Sequence, residues 1–406
     1  MKAKLIAFTI LTATAATVAL YPHVRSSWAG IPVPVTAATM VAPAVDPLAS
    51  ERPHVEVVFA LDTTGSMSGL IKAAKEKIWS IATTLASTEP APEIRMGLVA
   101  YRDRGDAYIT RVVDLSDDLD SLYASLMELE AKGGGDGPES VNQALYEAIQ
   151  DISWSQDEDA YKAVFLVGDA PPHMDYQDDI KYPQTIAEAK KKGIMINAVQ
   201  CGQNSSTSRA WQTIAQLANG SYFSVEQEGS AVAITTPYDE QLARLSAALD
   251  DTRIYYGTEA AKEQGRRKLD ASDKLHVGSS LESRARRAAF NASSSGQDNF
   301  LGESELVDAV TSGRVDVGSI DDEALPSSMQ GMAPKEKQAL VAKKSRDRVE
   351  LQEQIKTLAA KRSDYLKQKV EETGGAEKSL DHKIYRAVRE QAAVKGLRYE
   401  HDAPEY

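Results

Sequence analysis

Asp62, Thr64 and Ser66 place an acid and two hydroxyls at every second position of the string Leu61-Asp62-Thr63-Thr64-Gly65-Ser66-Met67-Ser68. Alternate residues of an extended turn project to one side, so the three oxygens can converge on one point. Oxygen donors alone select a hard cation: Mg²⁺ first, with Mn²⁺ or Ca²⁺ as alternatives. Two further strings offer donors of the same kind. Gly133-Gly134-Gly135-Asp136-Gly137-Pro138-Glu139-Ser140 precedes a helical pattern, and the apolar run Val164 to Gly168 ends in Asp169. Softer chemistry is excluded. The six histidines lack metal-ligand spacing, and one cysteine permits neither an intrachain disulfide nor a Cys-rich zinc site. No Gly-x-x-x-x-Gly-Lys-Ser/Thr loop occurs, which removes P-loop nucleotide enzymes, and Ser66 stands outside any Gly-x-Ser-x-Gly elbow.

For these donors to meet, the strands that carry them must end at one edge of a sheet. The near-continuous apolar run Val55 to Leu61 reads as a buried central strand. Further strands are expected at Ile94 to Tyr101, Tyr108 to Leu115, Ala163 to Gly168, Ile194 to Gln200 and Tyr222 to Val225. Helices are expected over 69–87, 117–131, 140–152, 184–192, 208–219 (with Gly220 as the residue just past its end) and 238–249. The short polar link Arg102 to Ala107 permits a hairpin and hence one antiparallel edge strand. The alternation predicts an α/β fold, a doubly wound and mostly parallel sheet with helices on both faces, followed by a C-terminal helical extension.

The chain has 406 residues and a formal charge of −13. That length allows two or three units, and the acidity argues against nucleic-acid binding. Lys2 and Lys4 precede an apolar run from Leu5 to Leu20, and Ser27-Trp28-Ala29 offers a cleavage site. Residues 1–29 therefore read as an export signal, with an uncleaved membrane anchor as the alternative. Residues 30–50 read as a linker, 51–250 as the α/β domain, 251–330 as a partly disordered connector of weak periodicity, and 331–406 as a helical tail. The α/β segment carries 16 Lys+Arg against 31 Asp+Glu, and residues 331–406 carry 17 against 13. Leu351, Ile355, Leu358 and Tyr365 form a seam, interrupted at Arg362, that suggests a long helix or helical hairpin and self-association through 331–406. Gly374-Gly375 should stop the first helix, and a second should run from about Leu380 to Gly396.

Together these strings resemble the von Willebrand factor A domain, also called the inserted domain of integrins. That family's metal-ion-dependent adhesion site uses Asp-x-Ser-x-Ser, a Thr from a second loop and an Asp from a third. Asp62, Thr64 and Ser66 match the first motif, with Thr in place of the first Ser, and Asp169 matches the third. The second loop departs: Gly-Gly-Thr is replaced by Gly134-Gly135-Asp136, followed by Gly137-Pro138-Glu139, a Gly-Gly-Gly-Asp-x-Pro-Glu variant. Asp136 is the first choice for the second-loop ligand, with Glu139 or Ser140 next. An added carboxylate there would neutralise the ion further and lessen its need for an acidic partner. The resemblance implies an exported bacterial-type protein of the periplasm or cell envelope, binding a protein partner through a divalent cation and not acting as an enzyme. Two alternatives remain: a metal-dependent hydrolase, with Glu139 or His173 as base, and a structural protein that oligomerises through its tail. Of the other singular residues, His173 reads as a surface or supporting group and Ser68 as a helix cap. Arg104-Gly105-Asp106 reads as a turn, and Cys201 as a buried inert thiol.

Overall fold

The computed structural model describes residues 52–135, 137–226, 234–373 and 380–399. The expected export signal and linker, and the candidate ligand Asp136, lie outside the described residues. Among the described residues no helix is long and apolar enough to cross a membrane.

The first strand, β1 (His54–Asp62), leads through a single 3₁₀ turn into α1 (Ser68–Ala86), and β2 (Thr88–Glu89) follows. Next come β3 (Glu93–Tyr101), β4 (Thr110–Ser116), α2 (Leu119–Met127), α3 (Val141–Gln150) and β5 (Tyr161–Gly168). The α/β part ends with α4 (Tyr182–Lys191), β6 (Ile194–Cys201), α5 (Ser205–Leu217) and β7 (Tyr222–Val225). Six strands form one sheet in the order β4-β3-β1-β5-β6-β7, with only β4 antiparallel to its neighbour. Central β1 pairs with β3 on one side and β5 on the other, Val57 lying opposite both Met96 and Ala163. Strand order therefore reverses at β1, and the crevice at its carboxyl end is where such sheets take ligands. All eight residues of β5 are buried, as the unbroken apolar run requires of a strand covered on both faces. One face packs on α1 and α2, the other on α3, α4 and α5 through residues such as Leu145, Ile186 and Trp211.

One local expectation shifts. Asn219, not Gly220, takes the left-handed conformation past α5, with φ 55. The next residue is glycine for another reason, because a Cβ there would collide with the Ile196 carbonyl.

The larger departure lies beyond the sheet. Residues expected to form a connector instead fold as helices, following α6 (Asp239–Asp250): α7 (Glu259–Gly278), α8 (Leu281–Asn291), α9 (Gln297–Leu301) and α10 (Leu306–Thr311). Their inward faces mix polar residues such as Lys268, Ser272, Arg287 and Asn291 with the apolar ones, which hides the periodicity of an apolar stripe. Arg287 is fully buried, and its guanidinium donates to Asp120 at 2.5 and 2.6 Å and to Asp250 at 2.7 Å. Ser246, Ser272 and His276 complete the network around these acids. Since Asp120 lies on α2, the network ties the helical region to the sheet domain.

The long helix α11 (Pro334–Thr373) also turns inward. Ile355 is buried among Leu242, Leu249, Ala285 and Phe300, with Leu351 and Leu358 beside it. Arg362 is buried, and its Nε donates to Asp239 at 2.7 Å. The seam read as self-association is thus used within the chain, and the polar residue that interrupts it is an ion-pair partner.

The last helix, α12 (Leu380–Ala392), returns to the sheet. Ile384, Val388 and Ala392 join Leu397 in the same apolar core as Val57, Ala163, Phe165 and Val199. Gln391 exchanges hydrogen bonds with Asn197 and accepts one from the Tyr161 hydroxyl at 2.9 Å. The short β8 (Arg398–Tyr399) pairs antiparallel with β2. Residues from 51 onward consequently form one compact unit, not a domain followed by a detached tail.

Candidate metal centre

At the carboxyl end of β1 the chain leaves the sheet at Asp62, which is fully buried. Its Oδ1 accepts the Thr64 amide at 2.9 Å and the Thr64 hydroxyl at 2.7 Å. The other oxygen, Oδ2, is buried with no hydrogen-bond partner among the described residues. Ser66 is exposed, its Oγ 3.4 Å from that of Thr64, so the alternating oxygens lie on one side as the spacing predicts. Ser68 caps nothing; α1 begins without a side-chain cap.

The third string meets the first across β5. A Cβ on Gly168 would stand 2.5 Å from the Tyr101 hydroxyl and 2.9 Å from the Asp62 Cβ, so only glycine allows this approach. Asp169 follows immediately, and its negative charge acts on Asp62. Its main-chain carbonyl is held by Thr207 at 2.9 Å.

The second string is docked on both others. Gly65 N–H donates to the Gly133 carbonyl at 3.1 Å, and Lys132 N–H to the Thr63 carbonyl at 3.1 Å. Glu139 N–H donates to Pro171, and His173 N–H returns to the Glu139 carbonyl, so Glu139 is bridged to the third loop. Its carboxylate is buried, with Oε2 unpartnered among the described residues. Ser140, by contrast, gives its hydroxyl to Asp103 at 2.9 Å and braces the site instead of facing it.

The β3–β4 turn contributes groups that reading the sequence passed over. Asp106 Oδ2 accepts the Gly134 amide at 3.0 Å. Gly133 has φ +79, and a Cβ on it would run into the Asp106 carboxylate. Asp103 accepts Ser140 and the Tyr176 hydroxyl, both at 2.9 Å, and stands 3.4 Å from His173 Nε2. The buried His173 ring stacks on Tyr176 and its Nδ1 pairs with Asp175 at 2.8 Å, confirming a supporting position. Arg104 pairs with Asp178 and Asp179, so the Arg-Gly-Asp tripeptide is a loop-to-loop clamp. Arg102 spans the first two strings, donating to the Thr63 and Glu130 carbonyls. The available signal was topological: β3 borders β1, so its carboxyl end had to reach the same edge.

Three loops thus gather at the switch point, with a buried acid and alternating hydroxyls. Residues 56–237 match the von Willebrand factor A domain family. An ariadne-like RING finger protein, R811 of Acanthamoeba polyphaga mimivirus, is 28% identical over 119 residues, covering 29% of this chain and 11% of that protein. Among solved structures, proximal thread matrix protein 1 from the mussel byssus is 14% identical with a TM-score of 0.35, covering 44% of this chain and 43% of that one. Another structure of that mussel protein is described as having a zinc-occupied MIDAS motif, at 16% identity and TM-score 0.34, covering 43% and 42%. The SpRpn10 VWA domain is 15% identical with a TM-score of 0.34, covering 44% of this chain and 91% of that domain. The chain thus spans about a tenth of the viral relative and under half of the mussel protein.

Within the matched segment, the donors suit a divalent cation. Among the described residues no three His, Cys, Asp or Glu side chains close on one point. The set is instead mixed, the carboxylates of Asp62 and Asp169 with the hydroxyls of Thr64 and Ser66, all hard oxygens. The buried, unpartnered Asp62 Oδ2 is the observation that fits an ion best, because an orphaned carboxylate oxygen is costly in any other role.

Electrostatics carry the same message. Burial pushes Asp62 up to about 7, opposed by hydrogen bonds from Thr64 and from the Asp169 main chain and aided by the Asp169 charge. Burial and then the charges of Asp62, Asp103, Asp106 and Asp169 push Glu139 up to about 9. An acid whose proton is held more tightly in the fold stabilises at low pH, and that contribution is lost as pH rises from the unfolded to the folded value. For Asp62 the window runs from about 4 to about 7 and is worth about 4 kcal/mol, at about 1.36 kcal/mol per unit. In chelator, Asp62→Asn is therefore expected to be more stable than the native chain by up to about that amount at pH 8, with the gap closing below about pH 4. Urea melts of both proteins across this range check it, and a gap independent of pH would contradict the assignment.

Proposed function

We propose that this protein is a metal-dependent protein-binding module that acts by recognition, not catalysis. Asp62, Thr64, Ser66 and Asp169 would hold the ion. The buried Asp62 oxygen at the switch point, within reach of the Asp169 charge, is the observation that carries this reading. A bound divalent cation would supply an electrophilic point to which a partner oxygen coordinates. Mg²⁺ is the ion proposed, with Mn²⁺ and Ca²⁺ as substitutes, because every donor is oxygen.

The residues around the centre suit docking better than turnover. Glu139, one candidate base, is held by the third loop, and His173, the other, is enclosed between Asp103, Asp175 and Tyr176. The third loop, meanwhile, presents Met174 and Ile180 to solvent beside Asp175 and Asp178, a partly apolar and acidic rim of the kind that receives a partner. The charged and apolar start of the chain supports export to the periplasm or cell envelope.

Calorimetric titration with Mg²⁺ and Mn²⁺ tests the core of the proposal. The native chain is expected to bind one ion and Asp62→Ala none, with both retaining the same far-ultraviolet circular dichroism. Crosslinking in the native envelope should then recover partners with Mg²⁺ that vanish with EDTA and with Asp62→Ala. Equal binding by the two proteins would reject the site.

A further inference from the structure

We propose that a cleft where the helical region meets the far end of α1 binds a phosphate monoester of a sugar or other polyol, at a site separate from the candidate metal centre. The cleft measures about 630 Å³ and lies between the carboxyl-terminal half of α1, β2, α8 with the connection that follows it, and α11. Ser80 lines it, whereas α1 starts at Ser68 beside the Asp62 string. These two residues are roughly 18 Å apart along the helix at ~1.5 Å per residue. Every cation that lines the cleft lies outside the matched segment 56–237, so the site exists only because the helical region folds back on the sheet.

The wall is rich in donors. Arg286 and Arg362 line the cleft although only 4% and 3% exposed, so they form its depth, and the exposed Lys356 and Lys367 stand at its mouth. The Arg362 Nε is held by Asp239 at 2.7 Å, which fixes the plane of the guanidinium. Two hydroxyls supply an independent observation. Thr83, Ser87 and Ser293 also line the cleft, and each donates to a main-chain carbonyl at 2.7 or 2.8 Å. Ser80 and Ser295 do not. They are 1% and 3% exposed, and neither Oγ has a hydrogen-bond partner among the described residues. Buried hydroxyls without partners are unfavourable, and a ligand oxygen at this wall would satisfy them.

The chemistry of the wall selects the ligand. Guanidinium and ammonium groups donate and never accept, so the deep part of the cleft takes an oxyanion. Phosphate presents three strong acceptor oxygens and about two negative charges, and it matches the planar fork of arginine. A bare phosphate ion would leave most of the volume empty, so an organic body occupies the rest. That body is hydroxylated. The acids that line the cleft, Glu89 and Asp364, are both exposed and accept hydroxyl protons at the mouth, while Ala289, Ala359 and Ala360 leave room between the polar groups.

The test is calorimetric titration of the full chain in EDTA, so that the metal centre plays no part. The probes are glucose 6-phosphate, glycerol 3-phosphate, inorganic phosphate and glucose. The native chain is expected to bind one molecule of ester, at least about tenfold more tightly than inorganic phosphate or glucose. The double variant Lys356→Gln, Lys367→Gln alters only exposed positions and should weaken ester binding at least about tenfold. Ser80→Ala and Ser295→Ala should each weaken it about threefold or more, yet melt without ligand at the native temperature or above, because each removes an unpartnered buried hydroxyl. A purely structural role for these hydroxyls would instead lower the melting temperature and leave the affinity as it was. No saturable binding of either ester, affinity equal to that for inorganic phosphate, or native affinity in the double lysine variant would overturn the proposal and leave the metal centre untouched.

Discussion

Replacing Arg287 with leucine is expected to cost about 3–5 kcal/mol and to lower the melting temperature on the order of 10 °C. Arg287 is fully buried between Asp120 on α2 and Asp250 at the end of α6, which are themselves 0% and 8% exposed as side chains. Burial raises the proton affinity of both acids, and the Arg287 charge with its hydrogen bonds more than offsets this. Both carboxyls consequently lie below the usual range. Leucine would fill much of the space and leave two buried carboxylates with too little compensation, which is the expensive half of breaking such a pair. The sign with pH follows. Acids with depressed values stabilise above their unfolded value and lose that contribution as pH falls through the folded one. The native chain should therefore lose this stabilisation only below about pH 4, and the variant should have little of it to lose. Urea melts at pH 7 and at about pH 2 measure both effects. The triple variant Arg287→Leu, Asp120→Asn, Asp250→Asn should recover part of the loss, because no charge is then stranded. A single variant as stable as the native chain would mean that the network does not join helices to sheet.

Removing residues 380–406 should prevent stable folding of the whole chain. Ile384, Val388 and Leu397 are each at most 2% exposed and share a core with β1, β5 and β6. Burying such side chains contributes roughly 1.5–3 kcal/mol each, and their loss also uncovers the sheet residues beneath. The sum rivals the ~5–15 kcal/mol net stability of an ordinary domain. The truncated chain is expected in the insoluble fraction, or soluble but rapidly cut by protease. A synthetic 380–406 peptide added during refolding should rescue it. An unchanged melting temperature after truncation would show that α12 is only an appendage. The matched segment 56–237 expressed alone faces the same difficulty, since it lacks this cover.

The parts of the fold legible in the sequence are those governed by apolar pattern. The runs Val55 to Leu61 and Ala163 to Gly168 are strands because both faces are buried, and one pattern could mean little else. Asp62, Thr64, Ser66 and Asp169 followed from strand ends and spacing. Residues 251–330 were opaque because Lys268, Ser272, Arg287 and Asn291 occupy buried helix positions where leucine would have revealed a helix. Arg362 broke the seam on paper for the same reason, with Asp239 as its partner more than a hundred residues away. Glu139 and Asp103 could be suspected as acids, yet their placement depended on which strand lies next to which. That is a long-range property no local window carries.

β1 begins at the edge of the sheet opposite the candidate centre, where Arg52 donates to the carbonyls of Ala91 and Pro92. The described chain finishes at that same far edge, as β8 pairs with β2 just before β3 starts. Both ends of the folded body thus leave by its base. Immobilising the folded body through a residue at that base, beside Arg52 or Arg398, would hold the Asp62 crevice pointing away from the bead or sensor chip.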